Sequence, residues 1–369
     1  MYPKLKFSEA EILAAIENTT ANDVEQLLRK NTHNFADLLH LLSPVAGRDF
    51  MPAMRQKSET LRKQYFGKAI QLYAPLYIGN SCVNGCKYCD FNHSLNTERH
   101  DLTLEEIKAE LQAIKHNGID SLLLVAGEDP VKMNIDFLCE VVREVRKHFT
   151  NCSVEIAPQT LENYRRLYEA GVNGVTMYQE TYDQKLYAEY HPYGPKRNYD
   201  KRVDTLNRAG ESGMRSLGIG FLLGLYNWRS EAVSMAAQSI YLQKHYWRSR
   251  LQFSFPRITP IGGGFVPPYP VSESELEQLM LTFRIIFPQA DMTLSTRECP
   301  DFRNKMAKIC VSNISAGSRV TPGGYTCSSE DVSQFTLNDS RSVDQVFNDM
   351  KQLGLEPVFK FWDNAIENV

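Results

Sequence analysis

Cys82, Cys86 and Cys89 stand in the stretch Cys-Val-Asn-Gly-Cys-Lys-Tyr-Cys, a Cys-x3-Cys-x2-Cys spacing that brings three thiols into one short loop. Thiolates are the usual ligands of iron–sulfur clusters, and a [4Fe–4S] cube normally takes four. Three local cysteines with no obvious fourth would leave one iron open to a small molecule, as an open position separates catalytic from closed structural zinc sites. Two other readings stay open. His93 follows Cys89 at Cys-x3-His and could complete a Cys3His zinc site in an interaction or RNA-binding protein, and the thiols could be a chance buried cluster. The remaining cysteines, Cys139, Cys152, Cys299, Cys310 and Cys327, are scattered through apolar or mixed contexts. Cys310, in an apolar strand-like run, reads as a small buried hydrophobe.

The elements that must position this loop are legible in the hydrophobic rhythm. From about residue 70, apolar runs alternate with amphipathic helical stretches. The runs are IQLYAPLYI, SLLLVAGE, SVEIAPQ, GVTMYQET, SLGIGFLLG, LQFSFPRI, DMTLSTRE and CVSNISAG. Continuous apolar strands separated by helices imply a parallel sheet with crossover connections. Eight such units over residues 70–320 predict an α/β fold, a (β/α)8 TIM-type barrel, in preference to a doubly wound open sheet. Thr103 with Glu106 forms a capping box for one of these helices, Gly118 stops it, and Gly171 closes LENYRRLYEAG.

Residues 1–69 read as an N-terminal helical extension. Ser8 is positioned to cap its first helix, Thr20 or Asn22 a second, and FADLLHLL and MPAMRQKSETLRKQYF supply further helices. Residues 321–369 read as a short C-terminal tail packing on the barrel, with a helix around SVDQVFNDMKQLG. In such barrels the active-site groups sit at the C-terminal ends of the strands. That is where the cysteine loop, Gly127-Glu128, Gln159, Gln179-Glu180, Arg257, Arg297-Glu298, Ser315 and Ser318 fall.

Composition is that of an ordinary globular chain: 43% hydrophobic, 23% charged, formal net charge -3 over 369 residues. This balance gives no general pull toward nucleic acid or an anionic membrane. No apolar run approaches the roughly 20 residues a membrane span needs, and the N-terminus does not read as a secretory signal. The expected setting is the cytoplasm, where clustered thiols suggest a metal rather than disulfides.

The aromatic position before the third cysteine, Tyr88, completes a Cys-x3-Cys-x-aromatic-Cys motif that resembles the radical S-adenosylmethionine (SAM) superfamily. The resemblance covers nearly the whole chain. It is carried by APLYIGNSCVNGCKYCDF, LLLVAGED, YQETY, HYWRSRLQFSFPRI, LSTRE and SAGSRVTPGGY, which are similar to the aromatic amino acid lyase branch, and most so to the tyrosine lyases of thiazole (thiamine) biosynthesis. It implies a [4Fe–4S] cluster on Cys82, Cys86 and Cys89, SAM on the open iron, and a 5′-deoxyadenosyl radical formed with one electron from a low-potential donor such as flavodoxin or ferredoxin. It implies a Cα–Cβ cleavage of L-tyrosine to p-cresol and 2-iminoacetate (dehydroglycine), with hydrogen abstraction near the substrate amine. Thiazole synthase, which consumes that product, would be a partner.

By the same resemblance Tyr88, Glu128, Glu180 and Arg202 bind the cofactor, and Arg297 with Ser315 clamps the substrate carboxylate, for which a bidentate guanidinium is suited. The blander readings are a turn carboxylate for Glu128, a solvated helix residue for Arg202 and a salt bridge of Arg297 to Glu298 or a nearby acid. For GIGFLLG, tight packing of Gly220 and Gly224 competes with adenine binding, and Arg257 is a weaker carboxylate candidate. The branch also holds a tryptophan lyase and the tyrosine lyase of [FeFe]-hydrogenase maturation. The latter has an extra C-terminal cluster whose cysteines find no counterpart in GLEPVFKFWDNAIENV, which favours the thiazole enzyme.

Overall fold

The computed structural model describes residues 7–259, 264–326 and 333–359; Cys327 and the last ten residues lie outside them. Five helices come first: α1 (Glu9–Glu17), α2 (Ala21–Arg29), α3 (Phe35–Leu41), α4 (Pro44–Asp49) and α5 (Met51–Phe66). The first three start at reciprocal capping boxes, Ser8 with Glu11, Thr20 with Asp23 and Asn34 with Asp37. Thr20, not Asn22, therefore caps α2.

The barrel follows in strict alternation: β1 (Ala69–Gly79), α6 (Leu104–His116), β2 (Ser121–Ala126), α7 (Ile135–Arg146), β3 (Asn151–Glu155), α8 (Leu161–Ala170) and β4 (Gly174–Tyr178). After β4 come α9 (Gln184–Tyr190), α10 (Tyr199–Val203) and α11 (Thr205–Glu211). The rest is β5 (Ser216–Gly220), α12 (Trp228–His245), β6 (Arg250–Ser254), α13 (Glu273–Ile286), β7 (Asp291–Leu294), α14 (Pro300–Ile309) and β8 (Asn313–Ser315). All ladders are parallel, and β1 pairs with both β2 and β8, so the sheet closes into the expected (β/α)8 barrel.

Two details differ from the sequence reading. The eighth apolar run is not all strand, because Cys310 ends α14 with φ -144° and ψ -50°, and only Asn313–Ser315 pair. The tail holds α15 (Val343–Gln352) and also a ninth strand, β9 (Glu356–Val358). Gln71 pairs with Asn313 of β8 and with Val358 of β9, so β9 lies against the other edge of β1, below the start of β2.

α7 buries one face, with Leu138, Val141, Val142 and Val145, whereas α13 is buried continuously from Leu276 to Ile285 under the N-terminal helices. The lower barrel interior is polar where such barrels usually pack aliphatic layers: Gln71, Asn151, Gln252, Asp291 and Asn313 line a second space beneath the upper cavity. The N-terminal extension is clipped to the barrel through α13. Arg55 of α5 donates two hydrogen bonds to Glu277 (2.7 and 2.8 Å), and Gln278 donates to the Leu41 and Ser43 carbonyls.

Two buried guanidiniums close the barrel floor. Arg62 of α5 donates to the carbonyls of Val311 (3.1 Å), Gly67 (2.8 Å) and Ala69 (2.7 Å), and Arg284 of α13 to those of Cys310, Pro288 and Ala290. Burial, then the neighbouring Arg284 charge, pulls the Arg62 pKa down to about 10. Arg62 is itself 0% exposed, and removing its side chain takes the donor from three carbonyls, of which that of Val311 belongs to a fully buried residue. Arg62→Ala is therefore expected to lower unfolding free energy by about 3 kcal/mol, read as a lower midpoint in urea denaturation.

Candidate active site

Above the polar floor, the C-terminal strand ends surround a cavity that holds about 1380 Å³ of non-atom space with its open mouth included. Cys82, Cys86, Cys89, Tyr88, Glu128, Glu180, Arg202, Arg297 and Ser315 all line it. The structure thus brings together every site residue that the resemblance implied.

The cysteine loop leaves β1 and is pinned on both sides. Ser81 donates to Asp101 (2.6 Å), the Val83 amide to the Glu128 carbonyl (3.2 Å), and the Gly85 and Lys87 amides to the Tyr193 and Tyr190 carbonyls. Gly127 is needed for this approach, because a Cβ there would sit 2.2 Å from the Ser81 carbonyl oxygen. Burial pushes the Cys86 thiol well up and the Cys89 thiol up to about 11, and Lys196 opposes both shifts. Thiols held this way become ligands only when a metal replaces the proton.

Tyr88, between Cys86 and Cys89 in the loop, is buried. The Nδ1 of His191 is 2.6 Å from the Tyr187 carbonyl, which can only accept, so that nitrogen carries the ring proton. Nε2 of His191 is then the acceptor for the Tyr88 hydroxyl at 2.7 Å. Burial and Lys196 hold the His191 pKa down at about 3, which keeps the imidazole neutral.

Glu128, Glu180 and Arg202 form one ionic unit. Arg202 donates through Nε to the Tyr178 carbonyl (2.7 Å), through one terminal nitrogen to Glu128 (2.9 Å) and through the other to Glu180 (2.9 Å). Lys196 also donates to Glu180 (2.8 Å), and Asn84, inside the cysteine motif, to Glu128 (2.9 Å). Burial alone would raise the Glu180 carboxyl; Lys196 and Arg202 hold it below its ordinary range. Glu180 has φ 70°, the left-handed value of no other non-glycine among the described residues. The strained turn is secured by the next two residues, since the Thr181 hydroxyl and the Tyr182 amide donate to buried Glu231.

Arg297 is different. Its guanidinium carbon lies 3.6 Å from the Phe335 ring centroid, and among the described residues it has no ion pair. Glu298 is taken by Arg257, which grips it through two nitrogens. That pairing rules out the Arg297–Glu298 bridge and leaves Arg257 outside the cavity lining. Phe335 belongs to the tail, whose Asn338 donates to the Arg297 carbonyl (2.6 Å). Burial weakens the hold of Arg297 on its proton, and Tyr77, Tyr178 and Glu155 restore part of it. Ser315 is buried beside Arg303, which donates to its hydroxyl (3.4 Å).

Of the other strand-end candidates, Gly127 and Ser318 line the cavity and Gln159 and Gln179 do not. Gln159 folds back on its own turn, and Gln179 is buried. Gly220 packs against the Ser254 carbonyl, where a Cβ would stand 2.3 Å away, and Gly224 adopts φ 116°, so close packing and turn geometry account for both. Asn84, Glu155, Lys196 and Phe335 were missed. Glu155 had a signal, a lone carboxylate in an apolar run; Lys196 and Phe335 sit in polar loops and had none.

The cavity fits a thiolate-held cluster with a polar ligand beside it. Three thiols converge on it, and the buried Thr259 and Ser318 hydroxyls lining it have no hydrogen-bond partner. Among the described residues no three His, Cys, Asp or Glu side chains are close enough to share one metal ion. The Cys3His zinc reading needs that; a cube, which spreads its ligands over separate irons, does not. His93 is exposed, with Nδ1 at 3.1 Å from the Cys82 carbonyl.

Residues 76–237 match the model of the Radical SAM superfamily, and residues 254–356 that of the Biotin and Thiamin Synthesis associated domain. The chain is 37% identical to the 2-iminoacetate synthase of Salmonella typhimurium over 355 residues, 96% of this chain and 94% of the relative. The Escherichia coli 2-iminoacetate synthase is 36% identical over 357 residues, with the same coverage. A crystal structure of HydG, a maturase of the [FeFe]-hydrogenase, superposes with a TM-score of 0.91 at 30% identity, over 97% of this chain and 81% of that one.

The Gly127 contact yields a test. Overpacking of this kind costs about 1–3 kcal/mol, so Gly127→Ala is expected to displace the cysteine loop. Iron and sulfide retained after anaerobic reconstitution should fall, while far-ultraviolet circular dichroism stays that of the intact barrel.

Proposed function

The chain belongs to the 2-iminoacetate synthase family of radical SAM enzymes, and from that premise we propose that it splits the Cα–Cβ bond of L-tyrosine into p-cresol and 2-iminoacetate. When bound, the cluster and SAM would supply 5′-deoxyadenosyl radical chemistry, that is, removal of a hydrogen atom from the substrate. Cys82, Cys86 and Cys89 are the residues that would hold the cluster. Glu128, Glu180, Arg202 and Lys196 would face the charged methionine end of SAM, with Tyr88 fixed behind them by His191.

The observation that carries the substrate reading is Arg297: a cation without a carboxylate among the described residues, in the cavity lined by the three cysteines. Leaving a guanidinium unpaired in an enclosed space is unfavourable unless an anion arrives. The α-carboxylate of an amino acid supplies one. The Phe335 face holds the guanidinium plane, and Ser315 lines the same cavity.

The reading extends to the setting. Forming the radical takes one electron from a low-potential donor of the flavodoxin or ferredoxin kind. The imine product hydrolyses readily in water, which favours transfer to a thiazole synthase. Free thiols that must stay reduced suit the cytoplasm, and no helix among the described residues is long and apolar enough to cross a membrane.

Anaerobic assays with SAM, reductant and either tyrosine or tryptophan test the assignment. p-Cresol and 5′-deoxyadenosine should rise together with tyrosine; deoxyadenosine without p-cresol would refute the substrate. Ala at Cys82, Cys86 or Cys89 should abolish deoxyadenosine formation. Arg297→Ala should raise the KM for tyrosine about 100-fold, the scale of a lost buried charge pair, while SAM binding measured by equilibrium dialysis persists.

A further inference from the structure

Glu155 ends β3 and lines the active-site cavity. Below it on the same strand, Asn151 and Ser153 face the lower barrel space. The period of two places the carboxylate at the top of an inward-facing row. Among the described residues it makes no hydrogen bond or ion pair. Glu128 and Glu180 are committed to Arg202, and Glu180 also to Lys196. Glu155 is thus the carboxylate of this cavity left without a cation, as Arg297 is its cation left without an anion.

The two feel each other's charge without forming an ion pair. Opposite charges that face one cavity and do not meet match the two ends of a zwitterionic α-amino acid. Burial, then the Glu180 charge, raises the Glu155 pKa to about 7, against Arg297, Arg202 and Lys196, which lower it. The phenols of Tyr73 and Tyr77 on β1 and of Tyr178 on β4 also sense its charge. A carboxylate with raised proton affinity in a low-dielectric space is a far better acceptor for an ammonium proton than one in water.

The product shows why such an acceptor is needed. The nitrogen of zwitterionic tyrosine carries three hydrogens, and that of the neutral imine carries one. One leaves as an atom and the other as a proton. Abstraction is easier from a neutral amine, whose lone pair stabilises the nitrogen radical, than from an ammonium group.

Resting on the tyrosine reading above, we propose that Glu155 binds the α-ammonium group of the substrate and removes one proton from it before hydrogen abstraction. An N–H bond breaks heterolytically, an O–H bond forms on the carboxylate, and no electron changes hands. The ammonium–carboxylate pair becomes an amine–carboxylic acid pair, and Arg297 keeps the α-carboxylate.

Reconstituted wild type, Glu155→Gln and Glu155→Asp, with SAM and no reductant, are titrated with tyrosine and with 3-(4-hydroxyphenyl)propanoate, which lacks the amine. With reductant, the same proteins are assayed for p-cresol. Glu155→Gln should weaken tyrosine binding about 30-fold and leave propanoate binding within about twofold. Its p-cresol formation should fall about 100-fold or more, with partial recovery in Glu155→Asp. Equal losses for the two ligands, or p-cresol formation by Glu155→Gln within about twofold of wild type, would overturn the role of Glu155 alone. Wild type that makes no p-cresol from tyrosine would overturn the substrate reading and this role with it.

Discussion

One guanidinium holds the upper barrel together. Arg202 reaches the Tyr178 carbonyl, Glu128 and Glu180 with its three nitrogens, and so ties the end of β2, the end of β4 and the short helix α10 to a single point. Glu128 passes the constraint to the cysteine loop through Asn84, and Glu180 passes it to Lys196. A buried charge with fewer partners would be costly; with three, its desolvation is offset and its geometry is fixed. The left-handed backbone at Glu180 is tolerated because Thr181 and Tyr182 are anchored on Glu231.

Around that unit the charges divide into two kinds. Glu128, Glu180, Arg202 and Lys196 satisfy one another and form a closed set of ion pairs. Arg297 and Glu155 face the same space without partners among the described residues. This division is what an enzyme with a resident cofactor and a transient zwitterionic substrate requires: a pre-organised frame for the first and uncompensated charges for the second. The C-terminal tail supplies part of the second set, because Phe335 and Asn338 hold Arg297 in place.

Much of this was legible in the order of residues. The eight apolar runs mark the eight barrel strands, since strands covered by helices must be apolar over several consecutive residues. The capping boxes at Ser8, Thr20 and Thr103 are local hydrogen-bond patterns that depend on neighbours three residues apart. Where the signal was weak, a short contact was involved. β9 has three residues, one of them Pro357, and pairs only because β1 offers an edge below β2. Cys310 sits in an apolar run, yet the end of α14 takes it before β8 can.

The sequence by itself determined the cysteine spacing, the barrel and the strand ends at which Glu128, Glu180 and Arg297 stand. Spacing within a loop and periodicity within an element are local properties, and local order carries them. Which charges pair is not local. Arg257 and Arg297 both neighbour Glu298 in the pattern of strand ends, and only the tertiary structure gives Glu298 to Arg257 and leaves Arg297 facing the cavity. Lys196 enters the site from the short turn between α9 and α10 and Phe335 from the C-terminal tail, and Glu155 becomes significant only when the other carboxylates are seen to be taken. Pairing is decided by distance through space, which is settled only when the barrel has closed.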